Sequence, residues 1–258
     1  MTHPKKRRWP GLLVLLLFLI GIAAALVMSV PARYVYDRYG GRAQPLRLQG
    51  IEGTLWQGKA AMLSYAARPV GPVIWQLDPW TALRGGARGK LSLSGPEWQA
   101  ESDFLLRGNR VELAAAHANF PASMLTPVLD IPSLRLLGNI RVAMDDVVIK
   151  DGAIQLAIGQ MVWDEVGVSG AAEARFGRII VDFAPRADGS VEGRVRDDGG
   201  PLQARGMIEL RGLAFKAEVH LQARPGNEQI HEALMYVGER TLDGGSLLRV
   251  EGSINKLY

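Results

Sequence analysis

The chain has 258 residues, enough for one or two domains with a real core, and 48% of them are hydrophobic, which excludes a disordered chain. It contains no cysteine, which excludes structural disulfides and thiolate metal sites. Its formal net charge of +4 comes from Lys5, Lys6, Arg7 and Arg8; from Arg33 onward 26 basic residues balance 26 acidic ones, so no basic face for nucleic acid is signalled and no nucleic-acid partner is expected.

Residues 1–8, MTHPKKRR, read as a cytoplasmic basic segment, and residues 9–30, WPGLLVLLLFLIGIAAALVMSV, carry no charge. As a helix the uncharged run is about 33 Å long, enough for a hydrocarbon core of ~30 Å. Lys and Arg beside a span are retained in the cytoplasm, so the chain after residue 30 is expected on the far side, the periplasm of a bacterium. A cleaved signal peptide is the alternative. Its apolar region is typically ~7–15 residues, and this run is longer, so a retained single-pass inner-membrane anchor is expected. Residues 31–45 read as a linker and residues 46–258 as a periplasmic β domain.

The stretch GTLWQGKA, Gly53 to Ala60, imitates a phosphate-binding loop, G-x-x-x-x-G-K-[ST]. Ala60 stands where the magnesium-binding hydroxyl belongs, and bulky Leu55 and Trp56 would crowd a backbone wrapped around phosphate. The residues alternate through the motif, Leu55, Gln57 and Lys59 against Thr54, Trp56 and Gly58, as in a strand. No nucleotide is expected. Gly53 and Gly58 read as strand-edge or bulge glycines flanking a Trp that packs on a neighbouring strand.

Period two dominates the remainder. Leu91 and Leu93, then Ile140, Val142 and Met144, then Ile179, Val181 and Phe183, then Val191 and Val195 each mark one face of a strand. Leu213, Phe215, Ala217, Val219 and Leu221 alternate with Lys216, Glu218, His220 and Gln222. Such segments are strands with one buried and one wet face. Turn signals at Gly85-Gly86, Gly95-Pro96, Asp151-Gly152, Asp188-Gly189 and Asp198 to Pro201 come at short spacing, which favours antiparallel meanders over βαβ units. Two stretches have helical spacing. Pro121–Pro132, with Met124, Leu125, Val128 and Leu129, predicts one short helix. The stretch from Asn227 predicts a second, with Ile230, Leu234 and Val237 on one face, Asn227 as N-cap and Gly238 as the stop. The halves on either side of Pro121–Pro132 read as two sheets or one interrupted sheet.

No catalytic or metal-binding pattern appears. His3, His117, His220 and His231 form neither HxH nor HExxH. Asp145-Asp146 and Asp197-Asp198 are chain neighbours, which in a strand point to opposite faces and read best as turn or strand-end residues. No G-x-S-x-G elbow is present. An enzyme is not expected, and no cofactor or metal is assigned. Trp56, Trp75, Trp80, Trp98 and Trp163 are placed in strands or strand ends as core residues; DPWTALRG, with Pro79 and Trp80, is the surface candidate.

Gly53, Thr54, Trp56, Gly58 and Ala60, followed by Gly71, Pro72, Trp75, Leu77, Pro79 and Trp80, make a pattern that resembles the N-terminal signature of the general secretion pathway protein N family, the N component of the type II secretion system. VPARYVYDRYG after the uncharged run and the glycine-marked strands after Gly199 are similar to the family as well. The resemblance implies a mainly β protein: an N-terminal transmembrane helix, then a curved antiparallel sheet, a half-pipe or open barrel like those of the AsmA-like group, with one or two short helices. It implies an inner-membrane accessory component for export of folded proteins across the outer membrane, partnered by other type II secretion components and by the inner membrane. The alternative is a periplasmic lipid-binding or lipid-transport protein with an apolar groove, lined by Ile179, Val181, Phe183, Leu213, Phe215, Val219 and Leu221.

Overall fold

The computed structural model describes residues 18, 21, 22, 25–40, 46–65, 68–125, 134–170 and 173–253. Most of the uncharged run 9–30 therefore lies outside the described residues. Of it, residues 18, 21, 22 and 25–28 are helical. Among the described residues no helix is long and apolar enough to cross a membrane.

The domain is built on one open antiparallel sheet. Its strands are β1 (Leu46–Gly53), β2 (Gln57–Tyr65), β3 (Arg68–Leu77), β4 (Gly86–Ser94), β5 (Gln99–Arg107), β6 (Arg110–Pro121), β7 (Leu134–Lys150), β8 (Ala153–Gly170), β9 (Ala174–Pro185), β10 (Val191–Asp197), β11 (Leu202–Arg211), β12 (Ala214–Ala223), β13 (Glu239–Arg240) and β14 (Ser246–Ser253). Strands β1 to β12 lie side by side in chain order, followed by β14 and then β13. Beyond the N-terminal helical residues, the described residues include helices α1 (Ala32–Tyr39), α2 (Pro79–Ala82) and α3 (Glu228–Leu234) and a 3-10 turn at Ala122–Leu125.

The expected break at Pro121–Pro132 does not divide the sheet. Strand β6 pairs directly with β7 from Arg110↔Lys150 to Pro121↔Asn139. A sequence shows alternation within a strand but not which strands pair, and here the hairpins simply continue. Of the short helix expected there, Ala122–Leu125 is a 3-10 turn; residues 126–133 lie outside the described residues. The supposed linker contains α1, whose Tyr36 hydroxyl accepts the Leu48 N–H at 2.9 Å. That N–H belongs to edge strand β1, and covering an edge strand hides its free backbone groups.

The strand periodicity has one consequence for the whole sheet. Residues directly opposite in a ladder share a face. Following the register gives Ile51, Ala60, Val73, Leu93, Ala100, Ala118, Val142, Met161, Val181, Val195, Gly206, Val219 and Leu248. This is an unbroken apolar row across β1 to β12 and β14. Its burial is uneven. From β8 onward the face forms a closed core with Val181 at 1% and Val219 at 8% exposure. There the sheet curls on itself, and the tip of β8 meets the β11–β12 turn through Ile154 N–H to Gly212 O at 3.2 Å. Helix α3 closes the opposite end with Ile230, Leu234 and, just after it, Val237, all buried. Asn227 stands at the N-cap, but its side-chain amide donates back to the Arg224 and Pro225 carbonyls and does not cap the helix. Gly238, with φ +74, ends the turn as expected.

The polar face carries cross-strand ion pairs: Lys59–Glu52, Lys90–Asp103, Lys216–Glu251, and Asp164 between Arg141 and Arg178. Asp197 is different, because its side chain is only 10% exposed. It accepts from Arg224 at 2.6 Å, from Gly199 N–H at 2.9 Å and from Ala204 N–H at 3.1 Å. It thereby ties the β10–β11 turn to the end of β12. Burial works to raise its pKa, but the Arg224 guanidinium and the two amides outweigh it and hold the carboxyl below its ordinary value. A depressed pKa stabilises the fold at all pH above the unfolded value of ~3.9, and that contribution is lost as pH falls through the folded value. Asp197→Asn should therefore cost about 1–3 kcal/mol near neutrality. The gap from wild type in denaturant unfolding should narrow in acid below the ordinary carboxyl range. An equal gap at both pH values would contradict this role.

Candidate functional site

The signature residues gather where the sheet meets the N-terminal helical residues. Strands β1 and β2 are joined by Thr54, Leu55 and Trp56, which form a turn and do not continue the strand alternation. Gly53 begins the turn with φ +88, and a Cβ there would come within 2.6 Å of the Gln57 carbonyl, so only glycine fits. The Thr54 hydroxyl accepts the Gln57 N–H at 3.1 Å, and the Thr54 N–H reaches the Gln57 carbonyl at 2.9 Å.

The turn grips the end of the helix. The Trp56 indole N–H donates to the Val27 carbonyl at 2.8 Å. The Leu55 N–H donates to the Val30 carbonyl at 2.9 Å. Pro31 and Thr54 then form an antiparallel bridge. The last carbonyls of a helix lack a full set of partners; the motif adds a donor to Val27, which also accepts the Val30 N–H at 3.4 Å, and supplies one to Val30, two residues past the helical ones. Trp56 is thus a clasp on the helix end. The Trp that packs on a neighbouring strand is Trp75, whose ring lies over Gly58. The two are register partners, and a Cβ on Gly58 would come within 2.5 Å of the ring. The Trp75 indole N–H donates to the Leu55 carbonyl at 3.1 Å, and the Leu77 N–H to the Trp56 carbonyl at 2.6 Å. Both motif halves therefore hold the same turn from opposite sides.

Gly71 is buried beside Ser94 and the Trp98 ring. Pro72 stands between Gly71 and Val73, at a position without a register partner in β2 or β4, where its missing N–H costs no ladder bond. Asp78 caps α2: its carboxylate accepts from Trp80 N–H at 3.0 Å and from the Thr81 hydroxyl at 2.7 Å. Those bonds, the Thr81 hydroxyl first, hold its pKa below the ordinary value. Pro79 occupies the first helical turn, where its missing donor is harmless. Trp80 is not in a strand but on α2, and it is 69% exposed. Asp-Pro-x-Thr is a legible cap pattern; the grip on Val27 and Val30 has no sequence signal, because backbone carbonyls carry none.

Lys59 pairs with Glu52 across the hairpin at 3.0 Å, with both side chains exposed. In the turn beside it, the Thr54 and Leu55 N–H groups are bonded to the Gln57 and Val30 carbonyls. Among the described residues no three His, Asp or Glu side chains converge at metal-binding distance.

The second candidate site is an apolar cavity of about 270 Å³ inside the curled half, next to α3 and the 3-10 turn. Of the seven residues expected to line a groove, Ile179, Val181, Phe215, Val219 and Leu221 line it. Phe183 does not; its ring lies over its register partner Gly193. Leu213 does not either: it sits in the turn before β12, with its carbonyl bonded by the Ser253 hydroxyl at 3.1 Å. Met161 and Trp163 of β8 and Leu234 of α3 are among the other residues of the wall, contributions that no single strand reveals.

The family described as "Type II secretion system (T2SS), protein N" matches residues 44–249. A Type II secretion system protein N from Aeromonas hydrophila is 33% identical over 72 residues, 28% of this chain and 29% of that protein. Another, from Vibrio cholerae serotype O1 (strain ATCC 39315 / El Tor Inaba N16961), is 26% identical over 188 residues, 65% of this chain and 68% of that protein. The aligned stretches thus span under a third of the first relative and about two thirds of the second. No solved structure matches the chain.

The clasp predicts an order of mutational effects. Trp56→Phe keeps the ring and removes the N–H, and should cost about 1 kcal/mol; Trp56→Ala should cost about 2–3 kcal/mol, near the low end for a buried aromatic because the ring is half-buried. Lys59→Ala removes an exposed pair and should cost less than about 1 kcal/mol. Denaturant midpoints check the order, and saturable ATP binding abolished by Lys59→Ala would overturn it.

Proposed function

The chain belongs to the type II secretion system protein N family, and from that membership we propose that it is an accessory, non-enzymatic component of the secretion machine. It is anchored in the inner membrane by residues 9–30 and presents its β domain in the periplasm, where it acts by contact with other secretion components. Support for the anchoring comes from two independent features. The run 9–30 is uncharged behind a basic cluster, the pattern of a single-pass span with its N-terminus inside. The described end of that run is gripped by the turn bearing the family's own residues, through Trp56 to Val27 and Leu55 to Val30. That clasp is the observation that carries the proposal: it fixes the sheet's orientation relative to the anchor, which a scaffold component requires and a freely tethered domain does not.

A second reading, lipid handling in the periplasm, draws support from the cavity. Its walls are apolar throughout and it holds about 270 Å³, more than the ~150 Å³ dry cavity that binds benzene in an engineered protein. Apolar space of that size takes an apolar ligand when one is available.

Complementation separates the two readings. A strain lacking the protein should lose secretion of a type II substrate into the medium and regain it with the full chain. Residues 1–30 replaced by a cleavable signal sequence should not restore it. Secretion unaffected by the deletion, together with phospholipid co-purifying with the chain, would overturn the first reading in favour of the second.

A further inference from the structure

The connection between β3 and β4 stands out among the turns at its end of the sheet. In a meander, alternate connections lie on the same edge. The β1–β2 turn therefore shares its edge with the β3–β4, β5–β6, β7–β8, β9–β10 and β11–β12 connections. That edge is the one clasped to the helix end at Val27 and Val30. The β5–β6, β7–β8 and β9–β10 turns carry Gly108-Asn109, Asp151-Gly152 and Asp188-Gly189, which are solvated turn residues. The connection beside the clasp instead carries Trp80 at 69% and Leu83 at 77% exposure. Three residues apart at the end of α2, they lie on one side.

These side chains are exposed on a fixed backbone. Asp78 accepts from Trp80 N–H and the Thr81 hydroxyl, and its own N–H donates to the Arg88 carbonyl at 2.7 Å. Leu77, one residue earlier, is bonded to Trp56. The exposed pair is thus at most a few residues from the clasp and rigidly joined to it. Exposed Arg84 and Arg88 flank it.

We propose that the Pro79–Arg84 segment is a membrane-contact site, with Trp80 and Leu83 set into the headgroup boundary of the leaflet from which the N-terminal helix emerges. This rests on the anchoring reading above. If residues 9–30 cross the bilayer, the clasp holds the β1–β2 and β3–β4 corner of this edge at the membrane surface, with the β7–β8 turn four strands away along it; at that surface Trp is favoured because its ring is apolar and its N–H finds polar partners. Arg84 and Arg88 then face anionic headgroups. With the helix as one attachment and this segment as a second, the sheet is held at one angle to the membrane.

The chain has no cysteine, so single cysteines can be spin-labelled without other changes. The full chain is reconstituted into vesicles of phosphatidylethanolamine and phosphatidylglycerol with a label at Phe18→Cys, Leu83→Cys or Asp151→Cys. Collision with oxygen, which partitions into lipid, is compared with collision with a water-soluble nickel chelate. The expected oxygen-to-nickel ratio is several-fold higher at positions 18 and 83 than at 151. A position 83 that matches 151 while 18 stays oxygen-rich overturns the contact site and leaves the anchor standing. Nickel access at position 18 overturns the anchor and the site with it. Position 83 shielded from both reagents also overturns the proposal, because protein and not lipid then covers it.

Discussion

One constraint organises the molecule: a single meander sheet has one apolar face, and that face has to leave water. The row from Ile51 to Leu248 crosses thirteen strands without a charged residue. Among the described residues no second sheet covers it. The C-terminal half meets the constraint by curling until β8 and β11 touch at one end and by placing Ile230, Leu234 and Val237 over the other. Burial of one such side chain is worth about 1.5–3 kcal/mol, so the curled half carries most of the stability. It still leaves the cavity. The N-terminal half does not curl as far, and Trp75, Leu91 and Leu93 stay half-buried.

This asymmetry divides the work. The curled half is the rigid body, with its polar face laced by Asp164 and Asp182 to arginines on neighbouring strands. The flatter half is held by local devices: α1 along the edge strand, the Trp75 ring over Gly58, and the clasp on the helix end. Glycine within a strand weakens it, and a ring lying across the gap restores packing. The pairs Gly58–Trp75, Gly193–Phe183 and Gly252–Phe215 repeat that solution along the sheet.

Much of the fold was legible because period two survives wherever one face is buried. The alternation at Ile179–Phe183 and Phe215–Leu221 marks strands whose faces are as read, and the helix with Ile230, Leu234 and Val237 inward needed only its own spacing. What was not legible depends on distance through space. Thr54–Trp56 keeps the alternation of a strand and is a turn, because the positive φ of Gly53 and the partners at Val27 and Val30 lie outside any local pattern. The number of sheets could not be read at Pro121, since prolines mark an interruption of a strand and not of a ladder. Phe183 shares a face with Val181 yet does not line the cavity, and Phe215, whose ring likewise covers a glycine, does; alternation gives the face and not the position along it.

The central claim is that the signature residues join the helix to the sheet in one fixed geometry. Pro31 and Thr54 are bridge partners, and residues directly opposite in an antiparallel pair have Cα atoms about 4.5–5.5 Å apart, within the range a disulfide spans. In this cysteine-free chain, Pro31→Cys with Thr54→Cys in native membranes tests the joint directly. The account predicts a near-quantitative intramolecular disulfide under mild oxidation, and none for Pro31→Cys paired with Asp151→Cys at a distant turn. Thiols at 31 and 54 that stay free, or that cross-link no faster than the distant pair, would contradict it.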